Sequence, residues 1–406
     1  MKNDSADPLF ESFLVGNHIF PGVWRYMLPA EFASLKFPAE ARSSCMNCPK
    51  AALDGFRSDY RCCTYLPRIP NFLLGLSLKT ETGRKATQDI LDLGLATPEG
   101  MNGTPRQWWN YLEDLENENF GKSEQVLCPM LNKSNGYCRV HAFRNSVCST
   151  FFCLKDHGDR GDKFWDSVQT LGSQVEMALT HWVMSELGFS PEDYVARIDS
   201  LSKKVDRVAA NNGGWTESVR KKMWGDWFGR ELEFYGAAAD LVSKNRDILW
   251  DIANQSEIFE ASKFDRAMVR EVPKHLKDQL DPEDLEESGE TVSPQELWKT
   301  VRKRYENLWK LPRKLYRLNK KYKILENSQT LAIEKRYSDW PYYVRQKKSE
   351  DLESHQFLTV EQYELLAAFQ SPKMIDWQLL AESPNPQLTR DFLTSMISQK
   401  ILTVQS

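Results

Sequence analysis

No run among the 406 residues approaches the roughly 18 consecutive apolar residues of a membrane-spanning helix. The richest, Phe72 to Leu78, is far too short. The start, Met1-Lys2-Asn3-Asp4-Ser5-Ala6-Asp7, has no basic segment leading into an apolar core. No secretory signal is therefore expected, and the expected location is cytoplasmic. A dominant charge is also lacking: 53 Lys and Arg face 57 Asp and Glu, a net charge of −4. Such a balance argues against steering of the whole molecule towards nucleic acid or an anionic membrane. Also missing are the Gly-x4-Gly-Lys-Ser/Thr phosphate loop, a Gly-x-Gly-x-x-Gly turn after a strand and a His-Glu-x-x-His helix. The Cys-x3-Cys-x2-Cys triplet of radical SAM enzymes is absent too, as are fixed-period repeats and low-complexity tracts. A chain that is 41% hydrophobic and 27% charged has the composition to bury a core. Its length calls for two or three folding units.

The cysteines carry the strongest signal. All eight lie between Cys45 and Cys153: Cys45, Cys48, Cys62, Cys63, Cys128, Cys138, Cys148 and Cys153. Without a secretory signal, an even number of clustered cysteines points to metal or iron–sulfur ligation ahead of disulfides or buried free thiols. Cys45-Met-Asn-Cys48 is a two-residue loop that lets both sulfurs converge on one ion. The second half runs Cys128-x9-Cys138-x9-Cys148-x4-Cys153, without the paired knuckles of a zinc ribbon. Adjacent Cys62 and Cys63 face opposite ways if that stretch is extended. One of the pair is then expected to serve a second ion or only to pack. Proline follows both Cys48 and Cys128, a step also found in bacterial cluster proteins, which tilts the reading slightly towards iron–sulfur. Zinc or an iron–sulfur cluster is the expected cofactor. His141, His157, Asp156, Asp159 and Asp162 flank the cysteines as lesser candidates. Packing is the commoner role of such histidines, and the acids do not match a calcium loop.

Cys45-x2-Cys48, Cys62-Cys63, Cys128-Pro129-Met130-Leu131, Gly136-Tyr137-Cys138-Arg139-Val140-His141, Arg144, Cys148 and Phe152-Cys153 together resemble the YkgJ-type cysteine-cluster family. Met130, Val140 and His141 stand where that family often has Phe, Ile and Tyr, and Asn145 where it has proline. Thirteen residues also separate Cys48 from Cys62, a stretched first group. The resemblance implies a zinc- or iron-chelating domain without assigned chemistry. The flagellin lysine methylase shares the cluster, so by analogy a metal-dependent enzyme modifying a peptide or protein is the alternative. The sequence itself assigns no catalytic residue.

Beyond the cysteines the chain reads as mostly helical. Apolar residues recur at Phe164, Val168, Leu171, Val175, Ala178, Trp182, Val183 and Leu187, one buried helix face, and Gly188 stops it. Ser190-Pro191-Glu192-Asp193 and Ser293-Pro294-Gln295-Glu296 are helix starts. Trp215 to Phe264 reads as helical, with its aromatics in the core. Asp278 to Glu290 is an acidic linker. Lys299 to Lys323 then carries eleven Lys or Arg against Glu306, read as a solvated helix face rather than a nucleic-acid surface.

At the C-terminus, strands are expected at Tyr322 to Ile333 and Tyr342 to Gln346. Helices are expected at Thr359 to Phe369, Met374 to Ala381 and Leu388 to Ser398, before the strand Ile401 to Val404. The order is winged-helix-like and faintly similar to PqqD-like peptide-recognition modules. His355 to Ser406 has three basic residues against five acids, which argues against DNA and leaves a protein or peptide as the expected partner. Phe369, Trp377 and Phe392 are either its anchors or plain core. The expected fold class is mainly α (α+β). Its expected parts are a cysteine-cluster metal-binding domain over 1–162, a helical region with acidic linker and basic helix over 163–321, and a winged-helix-like module over 322–406.

Overall fold

A computed structural model describes residues 7–15, 18–35, 55–57, 59–151, 158–202, 213–255, 292–308, 315–326, 340–346, 356–375, 379, 383–384 and 386–405. Cys45, Cys48, Cys153, Asp156, His157, Trp377 and the acidic segment 278–290 lie outside the described residues. Helix predominates and the sheets are small and antiparallel, so the chain is mainly α with β. No described helix is long and apolar enough to cross a membrane. The chain forms two compact units. One comprises Met1–Lys36, Ala41–Leu154 and Lys163–Lys303; the other comprises Phe37–Glu40, Lys155–Asp162 and Arg304–Ser406.

In the first unit a hairpin, β1 (Phe13–Val15) and β2 (His18–Phe20), leads into α1 (Trp24–Met27). Phe20 stacks on Trp24 at 5.0 Å and lies 6.3 Å from Trp165, an aromatic cluster at one end of the core. The apolar run starting at Phe72 forms α2 (Asn71–Ser77), every residue of which is buried. Next come α3 (Glu81–Asp92), capped by the Thr80 hydroxyl accepting from the Gly83 amide, and α4 (Pro105–Glu116), opened by a Thr104–Gln107 capping box. The sheet order is β3 (Ile69–Pro70), β5 (Gly100–Met101), β4 (Ala96–Thr97), so the β4–β5 hairpin sits beside α2.

The short α5 (Ser146–Thr150) precedes the long α6 (Gly158–Glu186). The spacing predicts one buried face on α6, but the helix is buried on all sides from Ala178 to Met184, because other elements surround it. It stops as expected, with Gly188 at φ +90° and the Phe189 amide donating back to the Met184 carbonyl. α7 (Pro191–Ser202) starts where Ser190 caps Asp193. Of the stretch read as helical from Trp215 to Phe264, the described residues form α8 (Glu217–Trp224), α9 (Glu231–Lys244) and α10 (Leu249–Ala253). The break between α8 and α9 contains Gly225 and Gly229, both at positive φ.

The expected division at 162 and the observed grouping of 163–303 with the cysteine region differ for a physical reason. Middle-region side chains satisfy carbonyls in and just after the β4–β5 hairpin. Trp224 Nε1 donates to the Ala96 carbonyl (3.2 Å), the Tyr235 hydroxyl to Thr97 (2.8 Å) and Trp215 Nε1 to Asn102 (3.1 Å). α9 also crosses α2 at Gly75, where the Tyr235 carbonyl and Ala239 occupy the space of a side chain.

The unit boundary falls inside α11 (Pro294–Leu308). In the second unit β6 (Leu315–Leu318) lies between β10 (Lys373–Met374) and β11 (Leu402–Val404), while β7 (Tyr322–Glu326), β8 (Tyr342–Gln346) and β9 (Gln356–Leu358) form another sheet. α12 (Val360–Ala367) and α13 (Pro386–Ser398) complete it. This unit begins earlier than the expected 322, because β6 pairs with strands far along the chain. Met374, expected in a helix, pairs instead with Leu315 in a strand. Phe369 and Phe392 are buried core rather than exposed anchors.

Candidate metal centre

Five of the eight predicted ligands are described, and they come from three backbone pieces of the first unit. Cys62 and Cys63 close a 3-10 turn over Arg61–Cys63. This turn replaces the extended stretch considered from sequence, so the strand alternation that would throw the two side chains to opposite faces does not apply. The Cys128 amide donates to the Cys63 carbonyl at 2.7 Å, joining the first cysteine segment to the second. Cys138 pairs in a single antiparallel bridge with Leu131 across the turn 132–137. Cys148 lies on α5, its amide held by the Asn145 side chain at 3.1 Å. Asn145 also donates to the Arg68 carbonyl at 2.8 Å. The Arg144 guanidinium donates to the carbonyls of His141, Cys148 and Ile19.

The thiols share one electrostatic environment. Burial pushes the Cys128 thiol well above its ordinary range, helped by the charges of Cys138, Cys148 and Cys62. Burial and the Cys138 charge push Cys148 up to about 12, against an opposing pull from Arg144. The Cys62 thiol is raised first by its bond with Cys63 and then by burial. No disulfide joins the five described cysteines. Among the described residues, no group of three or more His, Cys, Asp or Glu side chains is gathered closely enough to hold a metal ion. His141 is exposed as a residue, with its imidazole pushed down to about 4 by partial desolvation of the ring and by Arg144.

No family model, curated protein or solved structure matches the chain.

An open groove of about 900 Å³ runs between α3 and the loop carrying Cys128, which forms part of its wall. Two ion pairs line it, Asp89–Arg139 at 2.6 Å and Glu124–Lys133 at 2.5 Å. Arg139 also donates to the Pro129 carbonyl, fastening the residue after Cys128 to the residue after Cys138.

Two buried polar groups were not visible in the sequence pattern. Glu176 of α6 accepts from the Ser146 hydroxyl of α5 at 2.8 Å, and burial pushes its carboxyl up to about 8. Glu99, beside β5, lies 3.4 Å from His181 Nε2 and accepts from the Asn102 amide at 2.6 Å. Both Glu176 and His181 occur within an apolar-periodic helix. Polar residues at the margins of that pattern were the only available signal.

Proposed function

We propose that this chain is a cysteine-cluster protein that binds zinc or an iron–sulfur cluster, with a C-terminal module that docks a protein or peptide. The reading is carried by five free cysteines, Cys62, Cys63, Cys128, Cys138 and Cys148, which one unit draws from segments far apart in sequence. As donors they suit a soft metal or a cluster, which takes thiolates. Burial raises the Cys128 and Cys148 thiols, so binding there would displace protons and place a positive charge among them. Cys45, Cys48 and Cys153 belong to the proposed ligand set from their spacing alone. A site closed by four thiolates would be structural, whereas one with an open position would supply Lewis-acid or redox chemistry. The resemblance to the YkgJ-type family supports the same reading.

The enzyme reading, a peptide- or protein-modifying activity such as that of a lysine methylase, draws its support from the groove beside Cys128. The winged-helix-like reading of the second unit rests on its order of strands around α12 and α13. Among its described residues, Val360, Leu388 and Val404 are exposed apolar side chains. Metal analysis of the protein as purified, with its visible spectrum, tests the proposal. Iron with matching sulfide and broad visible absorption identifies a cluster, and zinc in a colourless protein identifies a structural site. Absence of both, with serine at Cys128, Cys138 and Cys148 changing nothing, sinks it.

A further inference from the structure

Between the two halves of the cysteine pattern lies a buried cation. Arg61 is 6% exposed, and it stands immediately before the Cys62-Cys63 pair. Its backbone lies at φ +56°, a left-handed conformation that side-chain-bearing residues rarely adopt. The amide is anchored there by the Arg57 carbonyl at 2.8 Å. The conformation coincides with a long-range bond, since the guanidinium donates to the Gly136 carbonyl.

Gly136 is two residues before Cys138, at φ +68° in a turn closed by its own amide donating to the Asn132 carbonyl. A Cβ at this glycine would collide with the Arg61 guanidinium. Glycine here therefore meets two requirements, the left-handed turn and room for the arginine. Strained backbone, burial and a matching glycine meet at one residue whose ends reach two cysteine segments.

We propose that Arg61 is the positioning residue of the cysteine site: its guanidinium fixes the Cys62-Cys63 turn against the Cys138 turn. This inference rests on the metal-binding reading above. A neutral or shorter side chain leaves each cysteine in place along the chain but frees the two turns to separate. Groups that orient ligands from behind typically set metal affinity by about 10–100-fold.

Cobalt(II) is the probe, added to full-length, metal-free, reduced protein, with thiolate-to-cobalt charge-transfer absorption as the readout and far-UV circular dichroism as the control for folding. R61Q is expected to weaken cobalt binding by about 10–100-fold and to alter the charge-transfer spectrum at unchanged dichroism. G136A keeps the arginine but displaces it, and it should reproduce that spectral change. Should R61Q fail to fold, R61K retains the stem and charge without the fork and is expected to bind about tenfold more weakly. Wild-type affinity and spectrum in the folded variants overturn the proposal. Failure of the metal reading looks different: the wild-type chain takes up no cobalt, or its spectrum survives C128S and C138S unchanged, and the proposal falls with it.

Discussion

The carboxyl of Glu176, sealed between α6 and α5, keeps its proton up to about pH 8. In the unfolded chain the same group ionises near its ordinary value of 4.5. Between those values the folded chain holds a proton that the unfolded chain has released. Stability therefore falls as pH rises through this window and levels off above about 8. E176Q keeps an acceptor for Ser146 and removes the titration. It should match the wild type near pH 4.5 and exceed it by on the order of 4 kcal/mol at pH 8. Urea unfolding at several pH values checks this, and parallel profiles for the two proteins would refute it. At this scale the sequence exposed the cysteines and little else. Eight thiols before residue 154 and none after is a pattern in one dimension. Glu176, Glu99 and His181 matter because of what each faces, and periodicity does not report that.

Helices and their ends were more legible. Ser190 and Ser293 stand at the N-termini of α7 and α11, where their side chains accept from Asp193 and Glu296. These signals are local, so a single sequence carries them. Short irregular elements were not legible. The 3-10 turn at Arg61–Cys63 depends on a left-handed arginine held by a distant glycine. The β10 strand exists only through its pairing with β6. The crossing of α2 and α9 is of the same kind: nothing in the run Phe72 to Leu78 says that Gly75 is where another backbone arrives. Gly75→Ala puts a methyl where the Tyr235 carbonyl sits, so the helices must part. A loss of about 2–3 kcal/mol is expected, at the upper end of overpacking costs, measurable by thermal or urea unfolding. An unchanged melt would show that the crossing relaxes freely.

For the whole molecule, the mainly helical class followed from pattern, while the unit boundary did not. Its placement inside α11 and the position of β6 between β10 and β11 give a specific expectation. A fragment starting at Ser293 retains α11 and β6 and should unfold cooperatively. One starting at Tyr322 lacks the middle strand of a three-stranded sheet and leaves β10 and β11 without their shared partner. It should show no cooperative transition by circular dichroism. Equal folding of both fragments would mean that β6 is dispensable.

The carbonyls of Ala96, Thr97 and Asn102, in and just after the β4–β5 hairpin, receive their donors from Trp224, Tyr235 and Trp215, more than a hundred residues later. On a ribosome this separation becomes a delay. At about 5–20 residues per second, Tyr235 emerges on the order of 5–20 seconds after Cys148. Throughout that interval the thiols of the nascent chain lack the shelter that completes their half of the protein. They are then open to whatever the surroundings supply first, whether metal, oxidant or chaperone.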